Sequence, residues 1–283
     1  MSANLPTAAK NVEAAPSRWP RLLNCLRERR LPVRLKQIFP ELLGKLTGHS
    51  VVFRSHGRRK FLRFQVDARN MSDLILDEVF TAQVYFPAVD KRTEFRIKRD
   101  DVVIDIGANV GLFAACAANE TRAKVYCFEP SRANFARLEQ HRRLNRLDNM
   151  VLINQGVSDR SESVKLYLQG DNCGAHSVVP DPRLESNSIE QPYEEITCVA
   201  LKDAFDQYAI ERCDFLKIDC EGAEAKILNA LPAEYFERIG RIALEYHPNV
   251  NVLELAELLD RHGFSVVIKG YPVKWGLLFA TRR

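Results

Sequence analysis

The sequence predicts an α/β protein built on a doubly wound sheet, mostly parallel, with helices on both faces and an antiparallel hairpin at its carboxyl end. Three observations predict it. From Asp101 onward, short apolar runs alternate with longer stretches of helical spacing, the rhythm of repeated strand-helix units. The first run opens through a glycine-containing turn, Asp105-Ile106-Gly107-Ala108-Asn109-Val110-Gly111, into a helix pattern. The last two runs, 264–269 and 275–281, are joined through Gly270-Tyr271-Pro272, and a parallel sheet that ends this way ends in a hairpin.

Taken in order, residues 1–16 are rich in Ala, Asn and Pro without apolar period and read as a mobile tail. Residues 17–100 form a separate N-terminal cap. There Trp19, Leu22, Leu23 and Leu26, then Val33, Leu35, Ile38, Leu42, Leu43 and Leu46, predict two helices broken at Pro32. Alternation at 51–54 and 61–66 predicts a hairpin, and a short helix follows at 74–80. The cap carries no chemistry readable from spacing and reads as a cover or an oligomer contact.

Residues 101–283 form the main domain. Strands are predicted at 102–107, 123–129, 151–155, 213–219, 241–246, 264–269 and 275–281, and helices at 111–119, 131–146, 201–209, 223–230 and 251–262. Two further strand-like runs, 164–168 and 196–199, bracket a polar loop at 169–195 that is long for a connector and suits substrate contact.

The turn at 105–111 is the first candidate site. Gly107 and Gly111 let backbone approach a ligand at the carboxyl edge of the sheet, and Asn109 lies between them. The third glycine of a dinucleotide fingerprint is missing, and Asp105 precedes the first. A carboxylate there suits a ligand bearing an ammonium group better than a pyrophosphate. Glu129 ends the second strand, 18 residues after Gly111, where an acid accepts both hydroxyls of a ribose. Asn154 and Gly156, with Ser158 and Asp159, fall where an adenine edge would lie.

Four blocks carry a resemblance that covers Asp101 to His247. They are Val103 to Gly111, Phe128-Glu129-Pro130, Phe215-Leu216-Lys217-Ile218-Asp219-Cys220-Glu221-Gly222-Ala223-Glu224, and Glu245-Tyr246-His247. In these the chain resembles the FkbM-type methyltransferases. The resemblance implies a class I methyltransferase (Rossmann-like) fold, S-adenosylmethionine as cofactor, and methylation of a hydroxyl on a sugar, glycolipid, polyketide or other small metabolite. Adenosylmethionine has the ammonium that Asp105 favours and a sulfonium besides. The family often has Asn-x-Gly and two serines before the fourth strand. Here Asn172-Cys173-Gly174-Ala175-His176-Ser177 stands there, and His176 departs from the pattern.

A hydroxyl acceptor must lose a proton, so a base within reach is useful. His247 is the first choice because imidazole titrates near neutrality, with Asp219 and Glu221 at neighbouring strand ends and His176 behind them. Asp219 serves equally to line the methionine end of the cofactor, and Glu224 is explained by a helix N-terminus alone. A divalent metal on Asp219, Glu221, Glu245 and His247 is chemically compatible and is not expected. Lys217 reads as a sheet-edge charge or a partner of these acids. His49, His56, His141 and His262, in polar surroundings, are expected to do nothing catalytic.

Bulk properties narrow the class. A net charge of +4 with no interleaved aromatics does not call for nucleic acid as a partner, though a basic face would tolerate peripheral contact with a glycolipid surface. Seven cysteines without C-x-x-C pairs read as buried apolar residues of a reducing compartment. With no secretory leader pattern and no long apolar run, the expected location is the cytoplasm. The alternative to an enzyme is a non-catalytic adenosylmethionine-binding or partner-docking protein of the same fold. The intact set of acids argues against it. A nicotinamide oxidoreductase would need the missing third glycine.

Overall fold

A computed structural model describes residues 12–13, 51–54, 61–65, 77–86, 95–169, 176–180, 191–270 and 275–283. The predicted helices at 17–46, most of the 169–195 loop and the turn at 271–274 lie outside the described residues.

Thirteen strands are described: β1 (Val12–Glu13), β2 (Val51–Arg54), β3 (Phe61–Phe64), β4 (Val103–Ile106), β5 (Val125–Phe128), β6 (Met150–Ile153), β7 (Gly156–Ser158), β8 (Glu162–Tyr167), β9 (Tyr193–Ala200), β10 (Phe215–Ile218), β11 (Arg241–Tyr246), β12 (Phe264–Gly270) and β13 (Gly276–Arg282). The helices are α1 (Leu112–Glu120), α2 (Arg132–Asn145), α3 (Leu201–Gln207), α4 (Glu224–Asn229), α5 (Ala233–Phe236) and α6 (Val252–Arg261).

The main sheet has the order β1-β12-β13-β11-β10-β4-β5-β6. β4, β5, β6, β10 and β11 run parallel, and β13 is antiparallel to both β11 and β12. The antiparallel partner expected at the carboxyl end is therefore β13, inserted between β11 and β12. This is the class I methyltransferase sheet. The chain builds outward from β4 to β6, then returns to the other side of β4 as β10, so the direction of winding reverses between β4 and β10. A crevice opens at the carboxyl ends of the strands at such a switch point.

The central strands are buried on both faces, which explains their near-continuous apolar sequence. Alternation then sorts their side chains. Ile104, Ile106, Leu216 and Ile218 join one core, with α3, α4 and α6 residues. Val103 and Phe215 join the other, with α1 and the N-terminal Leu62, Phe64, Val79 and Tyr85. Asp105 and Lys217, cross-strand neighbours in register, fall on this second face. α1 is buried from Leu112 to Asn119, apolar nearly all round because it lies between the sheet and the N-terminal segment. α6 is amphipathic and is capped by the Asn251 side chain, which accepts from the Leu253 and Glu254 amides.

Several expectations change in detail. The runs predicted near 164–168 and 196–199 are longer, and with β7, which the sequence reading missed, they form a separate sheet of order β7-β9-β8. α5 was also missed; it is a single short turn of helix between α4 and β11. The helix predicted at 74–80 is a wider π-helical turn, Asp77–Ala82. Within the segment read as a tail, Val12 and Glu13 pair with Ile268 and Lys269.

His141 is the clearest correction in the fold. Placed by sequence in polar surroundings, it is fully buried on α2. Its Nδ1 lies 2.6 Å from the Val110 carbonyl, and its Nε2 accepts from the Gln65 amide at 3.0 Å. That pattern requires the proton on Nδ1. Burial holds the ring pKa below its ordinary value and so keeps it neutral. Asn145, one helical turn on, closes a two-way bond with the Arg63 backbone. Together they fasten the β2-β3 hairpin beside the glycine turn.

Candidate active site

A cleft, partly open to solvent, lies where the switch point predicts it. Its floor is the turn after β4, with Gly107 and Asn109, and the end of β5, with Glu129. One wall is the small sheet, contributing Val157, Leu166, Ile196 and Cys198. Asp219 and Glu221 from the turn after β10, and His176, also line it. The lining thus combines apolar side chains of the small sheet with carboxylates from the turns after β5 and β10.

Gly107 has φ +74, and a Cβ there would stand 1.8 Å from the Asp219 carbonyl oxygen. The two turns touch backbone to backbone, which only glycine permits. Asn109 follows at φ 52, a conformation that asparagine tolerates better than most residues. Gly111 (φ +85) does not line the cleft. A Cβ there would strike Leu138 of α2, so this glycine serves the close packing of α1 on α2.

Glu129 is 5% exposed and meets the cleft. Oε2 accepts from the Asn109 amide at 2.7 Å, and Oε1 accepts from the Ser131 amide at 3.0 Å and from the Asn134 side chain at 3.5 Å. Burial pushes its pKa up to about 7, with those hydrogen bonds opposing the rise. Asn134, missed in the sequence, belongs to the cleft; its position one turn into the helix after Glu129 was the available signal. Asn154 donates to the Glu129 and Pro130 carbonyls and does not line the cleft, so it braces the acid's turn. Gly156 does line it, and a Cβ there would press on the Cys198 sulfur at 2.7 Å.

Asp105 is fully buried beneath this floor. Lys217 Nζ lies 3.1 Å from its Oδ1, donates to the Gly107 carbonyl at 2.8 Å and lies 3.5 Å from Asp219 Oδ2. The charges of Asp105 and Asp219 outweigh the cost of burial and hold Lys217 in its cationic form. Lys217, not a ligand's ammonium, is therefore the counter-charge of Asp105. Of the two readings of Lys217, partner of the acids is the observed one. The Asp105-Lys217 pair secures the turn from below, and its effect on a ligand is indirect.

His247 follows β11 outside the cleft lining. Nδ1 lies 2.9 Å from Glu224 Oε1 and Nε2 lies 3.1 Å from Glu221 Oε2. Burial alone would lower its pKa, but hydrogen bonds and charge from Glu221 and Glu224 outweigh that and push it up to about 11. Both ring nitrogens are thus engaged by carboxylates, which favours the imidazolium form. Glu224, explained in the sequence by a helix N-terminus, instead accepts from His247 and from the Cys220 and Gly222 amides. His176 Nδ1 accepts from the Gln169 amide at 3.2 Å, so its neutral form carries the proton on Nε2, a donor toward the cleft.

Among the described residues, the ligand atoms of Asp219, Glu221 and His247 lie within 4.8 Å of one another, so these three could share a divalent ion. Glu245 is pushed up to about 8 by burial and by the negative charge of Asp219.

S-adenosylmethionine fits this cleft on its chemistry: a buried carboxylate able to accept from ribose hydroxyls, apolar side chains against which a base can pack, and further carboxylates able to offset a cationic methionine moiety. Fold and cleft together define the class, an α/β enzyme that binds a nucleoside-type cofactor at the carboxyl edge of its sheet.

Comparison with known proteins narrows this. Residues 105–266, more than half of the chain, match the methyltransferase FkbM domain. The chain belongs to the FkbM methyltransferase family and is a methyltransferase. It is 27% identical over 220 residues to 31-O-demethyl-FK506 methyltransferase FkbM of Streptomyces tacrolimicus, covering 69% of this chain and 83% of that protein. It is 24% identical over 241 residues to methyltransferase sdnD of Sordaria araneosa, covering 75% and 90%. AMB antimetabolite synthetase AmbE of Pseudomonas aeruginosa is 27% identical over 238 residues, which are 71% of this chain and 11% of that much longer protein. Among the described residues no helix is long and apolar enough to cross a membrane.

Proposed function

We propose that the chain transfers the methyl group of S-adenosylmethionine to a hydroxyl oxygen of a small polar metabolite, with a sugar or polyketide hydroxyl as the type of acceptor. The observation that carries the reading is the cleft itself, whose lining includes the carboxylates Asp219 and Glu221. Carboxylates accept hydrogen bonds from hydroxyls and orient them. The name of the Streptomyces relative, which places its methyl group on an oxygen, supports the same choice.

When bound, S-adenosylmethionine supplies an electrophilic methyl group on a positively charged sulfur. Glu129 would hold the ribose, and Gly107 and Asn109 would lie along the cofactor. Asp219, which lines the cleft, would accept the hydrogen bond of the acceptor hydroxyl and then its proton as the new oxygen–carbon bond forms. Glu221 supports the acceptor from the same turn, while its other engagement, with His247, fixes that turn. The test is incubation of the chain with methyl-labelled S-adenosylmethionine and extract of its own host, read by mass spectrometry. A hydroxylated product heavier by one labelled CH₂ is expected; label found only on nitrogen or carbon would overturn the assignment to oxygen.

A further inference from the structure

Among the described residues, Asp219 is held through Oδ2. Tyr85 donates its hydroxyl hydrogen to Asp219 Oδ2 at 2.9 Å, and Lys217 Nζ approaches the same Oδ2 at 3.5 Å. No hydrogen bond to Oδ1 is found among the described residues, while Asp219 lines the cleft and its side chain is about a quarter exposed. The Tyr85 hydrogen bond and the Lys217 charge both engage Oδ2 and turn Oδ1 away from them.

Tyr85 itself is held firmly. It is 4% exposed, its ring meets Phe113 of α1 edge-on at 5.5 Å, and the adjacent Phe86 stacks on that same Phe113 at 5.4 Å. The turn that carries it is closed by the Val84 amide on the Glu78 carbonyl and the Phe86 amide on the Gln83 carbonyl, with Gln83 at φ 51. Beyond Asp219, the same hydroxyl reaches Glu245 Oε2 at 3.3 Å, so one N-terminal side chain ties together the ends of β10 and β11. Residue 85 lies outside the 105–266 segment that matches the family domain.

We propose that Tyr85 is a positioning residue for methyl transfer: its hydroxyl pins Asp219 Oδ2, so that Oδ1 is presented to the acceptor hydroxyl. The N-terminal segment is then part of the catalytic unit. The inference rests on the proposed function and adds to it the residue that orients the acceptor-binding carboxylate.

The test compares wild type, Tyr85→Phe, Asp219→Asn and the double variant, using methyl-labelled S-adenosylmethionine with host extract as the acceptor source. Calorimetry with adenosylhomocysteine reports on the donor site separately. Phe keeps the contact with Phe113 and removes only the hydroxyl. A loss of about tenfold or more in kcat is expected, with donor KM and adenosylhomocysteine affinity changed by less than about twofold. In the Asp219→Asn background the same change should cost nothing further, an epistasis that a merely structural tyrosine would not show. Wild-type kcat in Tyr85→Phe, or losses that multiply in the double variant, would overturn the inference and leave the proposed function standing. A wild type that binds adenosylhomocysteine yet labels no product overturns both.

Discussion

Glu129 should make the ligand-free protein less stable as pH rises through the range in which most acids have already ionised. Its carboxyl is 5% exposed and its pKa is raised from 4.5 to about 7, by burial first, against the pull of the Ser131 and Asn109 amides. Between those values the folded chain keeps a proton that the unfolded chain has lost. Stability therefore falls as pH rises from about 4.5 and the loss is complete above about 7. At about 1.4 kcal/mol per pH unit the interval amounts to roughly 3 kcal/mol. Urea unfolding of wild type and Glu129→Gln at a series of pH values measures it. The difference between the two proteins cancels the titrations of His247 and Glu245, which both share. That difference should move against wild type by roughly 3 kcal/mol from pH 4.5 to 8. A flat difference, or one that favours wild type as pH rises, would refute the reasoning. The same group gives binding a pH dependence: ribose hydroxyls donate to the ionised form, so adenosylhomocysteine should bind more tightly at pH 8 than at pH 5.5 in wild type and lose that trend in Glu129→Gln.

Other outcomes follow from single contacts. Gly107→Ala drives a Cβ against the Asp219 carbonyl at a positive φ, and should cost more than about 2 kcal/mol in thermal or urea unfolding; a melting temperature equal to wild type contradicts the backbone packing described. His247→Gln leaves the fully buried Glu224 without its cation, so a loss of about 3–5 kcal/mol is expected in urea unfolding. The His247 contribution is complete below its ordinary pKa of 6.5 and declines as pH rises toward about 11, so the gap between wild type and this variant should narrow in alkaline urea melts. Dialysis against a chelator should change methyl transfer by less than about twofold, because Lys217 and His247 already place positive charge beside Asp219 and Glu221. Activity lost and then restored by Mg²⁺ or Mn²⁺ would assign the Asp219, Glu221 and His247 group to a metal.

The architecture was legible because each central strand announces itself: Val103 to Ile106 and Phe215 to Ile218 are buried on both faces and therefore apolar throughout, and a strand entering a glycine turn before a helix has few alternatives. Glu129 could be placed because its position depends only on the strand before it. Pairing was harder to read. That Asp105 faces Lys217 depends on the register of β4 with β10, a hundred residues later, and sequence spacing does not encode register between distant strands. For the same reason His247 looked like a free imidazole when it is enclosed by Glu221 and Glu224. Tyr85 and Glu245 were invisible as a pair, since one belongs to the N-terminal segment and the other to β11. β7 was too short to show a period, and the packing of Gly111 on Leu138 and the bonds of Asn154 to the Glu129 turn depend on tertiary contacts that spacing does not show.

The central claim is that this cleft holds S-adenosylmethionine with its ribose on Glu129. Calorimetric titration of the full chain with adenosylhomocysteine, and in parallel with NAD, tests it most directly. One adenosylhomocysteine should bind per chain, binding should be lost in a folded Glu129→Ala variant, and NAD should give no heat of binding. Undiminished affinity in that variant, or preference for NAD, would contradict the account.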